Sequence, residues 1–295
     1  IGGLLVIDQQ MNIGQFVAAE IVILLIVNSV EKAILSFETI YDVLTALEKI
    51  GQVIDLELEK EGGIPLENKS EGIELDLSNI SYHYPQEQKL VIDDLSFHIK
   101  PGNRVLISGK NNSGKSTLLY LVGGLMYPTD GSISIDQIPS DNYEYENLRS
   151  QIGGYLRDET LFEGTLLENI TLGRENIDFD NVKWSIEKLN LSKTIKQLRD
   201  GYHTHIIPQG KQFSKSTVAK ILLARAIVTK PRLLLLENSF SVFSNEDKEN
   251  ILKFLLDSSH EWTVLLSSSL PVDLPELIDT EITLDNGKII NLKTN

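Results

Sequence analysis

The 295-residue sequence contains no cysteine, which excludes disulfides, zinc–thiolate centres and cysteine nucleophiles. It also lacks a basic excess: 27 Lys and Arg against 42 Asp and Glu leave a formal charge of −15 at pH 7. A nucleic-acid binder needs a basic face to neutralise phosphates, so nucleic acid is set aside as a partner. The acid is scattered along the chain and reads as a solvated surface. No Lys or Arg precedes Lys32, and the chain opens on Ile1 rather than Met. With no basic segment ahead of its apolar residues, the start reads as the interior of a longer protein and not as a signal peptide. What is present is a globular composition, 41% apolar and 23% charged, in a chain long enough for one large or two ordinary domains.

The beginning differs from the rest. "IGQFVAAEIVILLIVNSV", residues 13–30, is nearly all apolar. About 18 helical residues span roughly 27 Å, close to a bilayer core, so a transmembrane helix is expected here. Glu20 is the one charge inside it and should face other helices or water. A long buried helix of a soluble domain is the competing reading. Lys32 follows the span directly and assigns that end to the cytoplasm. "EKAILSFETIYDVLTALEKIGQVI" keeps apolar residues at helical spacing, including Ile34, Leu35, Leu44 and Leu47, and predicts an amphipathic continuation. Residues 55–72 are charged, glycine-bearing and unpatterned, which reads as a linker. No internal repeat is found.

From residue 73 the pattern turns to strands alternating with helices. "IELDLSNISYHY" alternates with period two, "NRVLISG" is a short buried strand, and "GKSTLLYLVGGL" a helix. The stretch from about Glu163 to Lys230 is mostly helical. "RLLLLEN" and "TVLLSSS" predict strands, with "NEDKENILKFLLDSS" between them as a helix opening on an Asn cap. "ITLDNGKIINL" predicts a hairpin centred on Asn286 and Gly287. A three-layer α/β sandwich with an inserted helical part fits this order.

"GKNNSGKST", residues 109–117, matches G-x-x-x-x-G-K-[ST] in the context that pattern requires, a strand before and a helix after. Gly109 and Gly114 allow a backbone path that points successive N–H groups at an anion beside the positive end of a helix. Lys115 adds a point charge for terminal phosphates, and the Ser116 hydroxyl is suited to Mg²⁺. The apolar run "LLLLEN" ends abruptly in Glu237 and Asn238, as buried strands do where their polar ends meet a ligand.

With these features the sequence resembles the nucleotide-binding domain of the ATP-binding cassette (ABC) transporters, in the exporter type whose membrane helices and cassette share one polypeptide. "MNIGQFVAAE" is similar to the start of the last membrane helix of bacterial peptide and protein exporters. "ISYHYP" is similar to the segment whose aromatic ring stacks on adenine, "LFEGTLLENITLG" to the stretch after the glutamine loop, and "LDNGKII" to the final hairpin. The resemblance implies a RecA-like core with an antiparallel β subdomain and a helical subdomain, preceded by a transmembrane helix. It divides the chain into the end of a transmembrane domain (1–54), a linker (55–72) and the cassette (73–295). It implies ATP and Mg²⁺ as ligands, with Tyr84, Gly109, Lys110, Asn111, Asn112, Ser113, Gly114, Lys115, Ser116 and Thr117 around the nucleotide, and Ser116 and Glu237 around the metal. The implied partners are a second cassette, identical or an intact heterodimer partner, the membrane itself, and a membrane-fusion protein where such an exporter serves secretion. The implied location is the cytoplasmic (inner) membrane with the cassette on its cytoplasmic side.

The family's catalytic positions, read by register, depart from its pattern. Glu237 takes the place of the Mg²⁺-associated aspartate, one methylene longer. Asn238 takes that of the glutamate that activates water, and a carboxamide accepts no proton at useful pH. Arg157 stands for the glutamine near the metal, Ser269 for the histidine at the γ-phosphate. Phe213, Ser214, Lys215, Ser216 and Thr217 stand for the L-S-G-G-Q signature that faces a partner's nucleotide, with Lys215 and Ser216 at two glycine positions. "SVFS" lacks the aspartate of the D-loop. A cassette that binds nucleotide and hydrolyses it slowly or not at all is the expectation. A variant but active ATPase, a non-transporting regulatory or scaffold subunit, and another P-loop class sharing only the Lys115 loop remain the alternatives.

Overall fold

The computed structural model describes residues 2–294 apart from 57, 60, 61, 86, 175, 238, 239 and 270–273. The chain divides into two compact units, Ile1–Lys60 and Glu61–Asn295.

The first unit holds α1 (Gly2–Ile7) and α2 (Ile13–Ile54). Asn12 opens α2 with a capping box: its side chain accepts from the Gln15 N–H, and Gln15 reaches back to the Asn12 N–H. The 42 residues that follow hold no proline, and their two glycines, Gly14 and Gly51, fall in the first and last turns, so the apolar span and its amphipathic continuation form one helix. It is the one helix among the described residues long and apolar enough to cross a membrane.

The second unit is built on two larger sheets and one two-stranded pair. Strands β1 (Leu75–Tyr82), β2 (Ile92–Ile99), β3 (Arg104–Gly109), β4 (Asp130–Ile135), β5 (Ile138–Pro139) and β6 (Ile152–Tyr155) come first, with α3 (Lys115–Val122) and α4 (Tyr145–Ser150) between them. The helical part contains β7 (Gly164–Thr165), α5 (Leu166–Thr171), α6 (Phe179–Lys188), α7 (Ser192–Gln197), β8 (His205–Ile206) and α8 (Lys215–Ile227). The chain closes with β9 (Leu233–Glu237), α9 (Asn245–Leu255), β10 (Thr263–Ser268), β11 (Thr280–Asp285) and β12 (Lys288–Thr294).

The central sheet runs β12-β11-β3-β10-β9-β6, parallel throughout except for the β11/β12 hairpin, whose turn uses positive φ at Asn286 and Gly287. The small sheet, β2-β1-β4-β5, is antiparallel. Both faces of the central sheet are covered, which is why its strands are apolar runs and not alternations. Leu233, Leu235, Ile107 and Leu265 join one core with β1, β2 and α3. Leu234, Leu236, Leu106 and Leu266 join the other with α5, α6, α8 and α9.

Two expectations need correction or refinement. The cap of α9 is Ser244, not Asn245: Ser244 is extended (φ −63°, ψ 159°) and its side chain accepts from the Asp247 N–H, which leaves Asn245 inside the first turn. Part of the stretch read as a linker is seated on the second unit. Ile64 exchanges backbone hydrogen bonds with Asn142 and Glu144. Leu66 is buried, its N–H donating to Asn147 Oδ1 at 2.7 Å and its carbonyl accepting from Gln151 Nε2 at 2.7 Å.

Candidate functional site

In an open parallel sheet, ligands meet the carboxyl ends of the strands. Here β3 ends at Gly109, β9 at Glu237 and β10 at Ser268, and the register aligns Ser268 with Ser108 and Ser267 with Glu237. The loop after β3 is shaped by its glycines. Gly114 has φ +101°, and a Cβ there would lie 2.8 Å from Ile92 Cδ1 and 2.9 Å from the Val91 carbonyl. It opens α3 with no side-chain cap, so the first-turn N–H groups are not spent on a local acceptor of that kind. Lys115 is buried, and its ammonium donates to the carbonyls of Gly109 (2.9 Å) and Lys110 (2.7 Å). Burial lowers its pKa, while the Glu237 carboxylate acts in the opposite direction.

Glu237 links two parts of the site. One carboxylate oxygen accepts from the Ser116 hydroxyl at 2.5 Å and the other from the Arg157 backbone N–H at 3.0 Å. Residue 157 is thereby tied to the end of β9. The Tyr84 hydroxyl lies 3.1 Å from Thr117 Oγ1, and Tyr82 meets the Tyr84 ring edge-on. Burial, and then the Glu237 charge, raise the pKa of Tyr120 on α3.

These groups border a cavity of about 1190 Å³, lined by Tyr84, residues 111–117, Arg157, Glu237 and Ser267 to Ser269. The volume exceeds that of ordinary small-molecule pockets, about 300–1,000 Å³. The glycine cradle, the uncapped helix start and the lysine fit a polyphosphate. Ser116 and Glu237 supply hard oxygens, and among the described residues no cluster of three His, Cys, Asp or Glu forms a separate metal cage. That suits Mg²⁺, which is usually held by one or two protein oxygens together with substrate phosphates.

Asn238 lies outside the described residues. Residues 213–217 do not border the cavity. They form the start of α8, where Ser214 caps the helix by accepting from the Thr217 N–H at 3.1 Å. Lys220 on α8 pairs with Asp247 on α9 at 2.8 Å. Sequence reasoning did not single out Lys248 and Leu252, which border the cavity from α9, and read Ser241 only as part of the D-loop stretch that lacks an aspartate. Lys248 and Leu252 lie four apart on α9 and share a helix face, a signal readable once the helix start is known.

The ABC transporter family profile matches residues 92–241. The chain is 31% identical over 249 residues to the uncharacterized ABC transporter ATP-binding protein YfiB of Bacillus subtilis (strain 168), covering 84% of this chain and 43% of that protein. It is 28% identical to the ATP-dependent lipid A-core flippase of Burkholderia orbicola (96% and 47% covered). It is 26% identical to the alpha-hemolysin translocation ATP-binding protein HlyB of Escherichia coli O157:H7 (98% and 40%). The chain thus spans less than half the length of these curated relatives. Among solved structures, a bacterial Atm1-family ABC exporter with ATP bound superposes with a TM-score of 0.76 at 23% identity, covering 88% of this chain and 45% of that one. The likeness shows a shared fold.

Proposed function

Since the chain belongs to the ABC transporter family, we propose that it is the ATP-binding half of a membrane exporter in which nucleotide acts mainly as the clasp between two cassettes. The backbone amides of residues 109–117 and the Lys115 ammonium bind the triphosphate, and the Tyr84 ring supports the adenine. Ser116 and Glu237 hold Mg²⁺, which when bound offsets charge on the terminal phosphates.

Hydrolysis is slow. The acids bordering the cavity among the described residues are Glu87 and Glu237, and Glu237 is engaged by Ser116 and the Arg157 amide. Asn238 brings no general base, a loss of about 10²–10⁴-fold. Ser269 is short and neutral where the family has a histidine. Residues 213–217 face the nucleotide of a partner cassette, and Lys215 and Ser216 narrow that approach. A homodimer therefore carries two altered sites, and an intact partner's phosphate loop still meets an altered signature.

The helix Ile13–Ile54 anchors the chain in the cytoplasmic membrane, with the cassette in the cytoplasm and its mate a second cassette. Export of a peptide or protein, with a membrane-fusion protein where secretion is served, is supported by the likeness to a hemolysin-translocating relative. The observation that carries the reading is an intact phosphate loop on a cavity whose one carboxylate at the loop is already hydrogen-bonded. The test is ATP binding and turnover by the full chain in detergent, with Lys115→Ala as control. Binding lost in the variant with negligible turnover in the parent is expected. Mg²⁺-dependent hydrolysis at ordinary enzyme rates, abolished by Lys115→Ala, overturns it.

A further inference from the structure

Both tryptophans of the chain, Trp184 and Trp262, lie in one aromatic cluster outside the lining of the nucleotide cavity. Trp184, on α6 of the helical part, meets Phe254 of α9 edge-on at 5.9 Å and Trp262 at 6.5 Å between ring centroids. His260 completes the cluster. Its ring stacks on Trp262, 4.2 Å away and 27° from parallel, and meets Phe254 edge-on at 4.9 Å. The buried Trp262 is fixed by its indole N–H, which donates to the Leu255 carbonyl at 3.0 Å. Elements distant in sequence are thereby joined, with α6 on one side and α9 and the entry to β10 on the other. Edge-on and stacked pairs of this kind add attraction beyond the area they bury.

The charges around His260 are mostly of one sign. Lys188, on α6, lies over the Phe254 ring at 5.7 Å, and Lys230, after α8, over Trp184 at 5.5 Å. Arg104, from β3, donates through Nη2 to the carbonyls of Asp257 (2.6 Å) and His260 (2.8 Å), which seats the His260 turn beside a guanidinium. That guanidinium is balanced in part by Asp279 and Asp257. The acid that acts on His260 is Asp257, whose carboxylate already accepts from the Ser259 N–H at 2.8 Å. Burial lowers the His260 pKa, Arg104 and Lys188 lower it further, and Asp257 and the Phe254 carbonyl oppose them in part. An imidazolium gains from the Trp262 face, but it adds a cation to a half-buried ring already flanked by two bases.

We propose that this cluster is an acid-sensitive clasp, in which a neutral His260 holds α6 against α9 and its protonation loosens the pair. The folded state gives up this proton more readily than the unfolded chain does. The contribution of the clasp is therefore complete above the ordinary histidine value, about 6.5, and declines as pH falls from there through the lowered one. Because α9 also borders the nucleotide cavity at Lys248 and Leu252, the clasp acts on a helix that faces the site.

The test is acrylamide quenching of tryptophan emission on the full chain in detergent, from about pH 7.5 down to about 5.5. With no tryptophan elsewhere, the emission reports this cluster alone. Quenching should rise about twofold or more on acidification, reversibly and with a midpoint below about 6.5. It should stay level in His260→Phe, which keeps an aromatic ring and the chain's other histidines. Amide exchange over residues 179–188 follows α6 itself. At about pH 5.5 it should be about twofold or more faster in the parent than in His260→Phe, and at about pH 7.5 the two should match. Comparing them at one pH cancels the solvent's own effect on exchange. Thermal unfolding checks that the variant folds, and His260→Gln serves in its place if it does not. A parent whose quenching is flat with pH overturns the proposal without recourse to any variant. A rise shared by the variant overturns it, as does α6 exchange that matches between the two at acid pH.

Discussion

Arg232, at the foot of the strand that delivers Glu237, is 4% exposed. Its Nε donates to the Glu71 carbonyl at 2.7 Å, its Nη1 to Glu67 and its Nη2 to Gly72, and Nη2 also pairs with Asp136 Oδ2 at 2.7 Å. One side chain thus fastens residues 67–72 and the small sheet to the central one. Replacing it with methionine keeps the length and removes every donor. The carbonyl of the exposed Glu67 can turn to water cheaply. Asp136 cannot: its side chain is 14% exposed, and its second oxygen is committed to the Glu74 N–H. Removing one partner of a buried pair costs about 3–5 kcal/mol. For a unit of this size each kcal/mol lowers Tm by about 2–4 °C, so Arg232→Met should fall by roughly 6–20 °C. The assay is thermal and denaturant unfolding of the parent, Arg232→Met, Asp136→Leu and the double variant. Removing both charges together should recover much of the loss, with a coupling of about 2 kcal/mol or more. A Tm within about 2 °C of the parent for Arg232→Met refutes the reasoning, as do costs that simply add.

Gly114→Ala should damage the phosphate loop, since the new Cβ meets the Val91 carbonyl at 2.9 Å from a backbone at φ +101°; fluorescent-ATP binding should drop with Tm, and unchanged binding would contradict the strained-loop account. Ser244→Ala should cost about 1 kcal/mol by removing the α9 cap, whereas Asn245→Ala should be near neutral, a contrast that denaturant midpoints resolve. Burial raises the pKa of Glu159, against weaker lowering by the Leu156 N–H and Arg225. The folded state therefore holds this proton to higher pH than the unfolded chain. Its contribution to stability declines as pH rises from the ordinary glutamate value through the raised one. Glu159→Gln should flatten that decline and be the more stable form at neutral pH; an identical stability–pH profile would count against it.

Much of the fold was readable because period and burial agree. The period-two pattern of residues 75–82, the apolar runs at 233–237 and 263–268 and the turn at Asn286–Gly287 each correspond to an observed element. Other features depend on partners far away in the chain. Leu66 is a lone apolar residue in a charged, glycine-bearing stretch, and only its distant partners Asn147 and Gln151 make it core. Ser244 and Asn245 are both good caps, and the choice falls to whichever backbone is extended when Phe243 is buried beside Phe240. In the site, the phosphate loop is local in sequence and was legible. Lys248 was not, because it reaches the cavity from a helix that starts at Asn245, far along the chain from the loop's end at Thr117. The arginine at 157 was legible as a residue, but the hydrogen bond that its backbone N–H donates to Glu237 depends on β6 and β9 lying side by side.

The most direct measurement follows one load of ATP labelled on its γ-phosphate. The full chain, in detergent with Mg²⁺, is saturated, cleared of free nucleotide, and the label is followed as bound ATP or released phosphate. Intact ATP retained for many minutes is the predicted result, with Lys115→Ala retaining none. Release of labelled phosphate within seconds of loading would contradict the account.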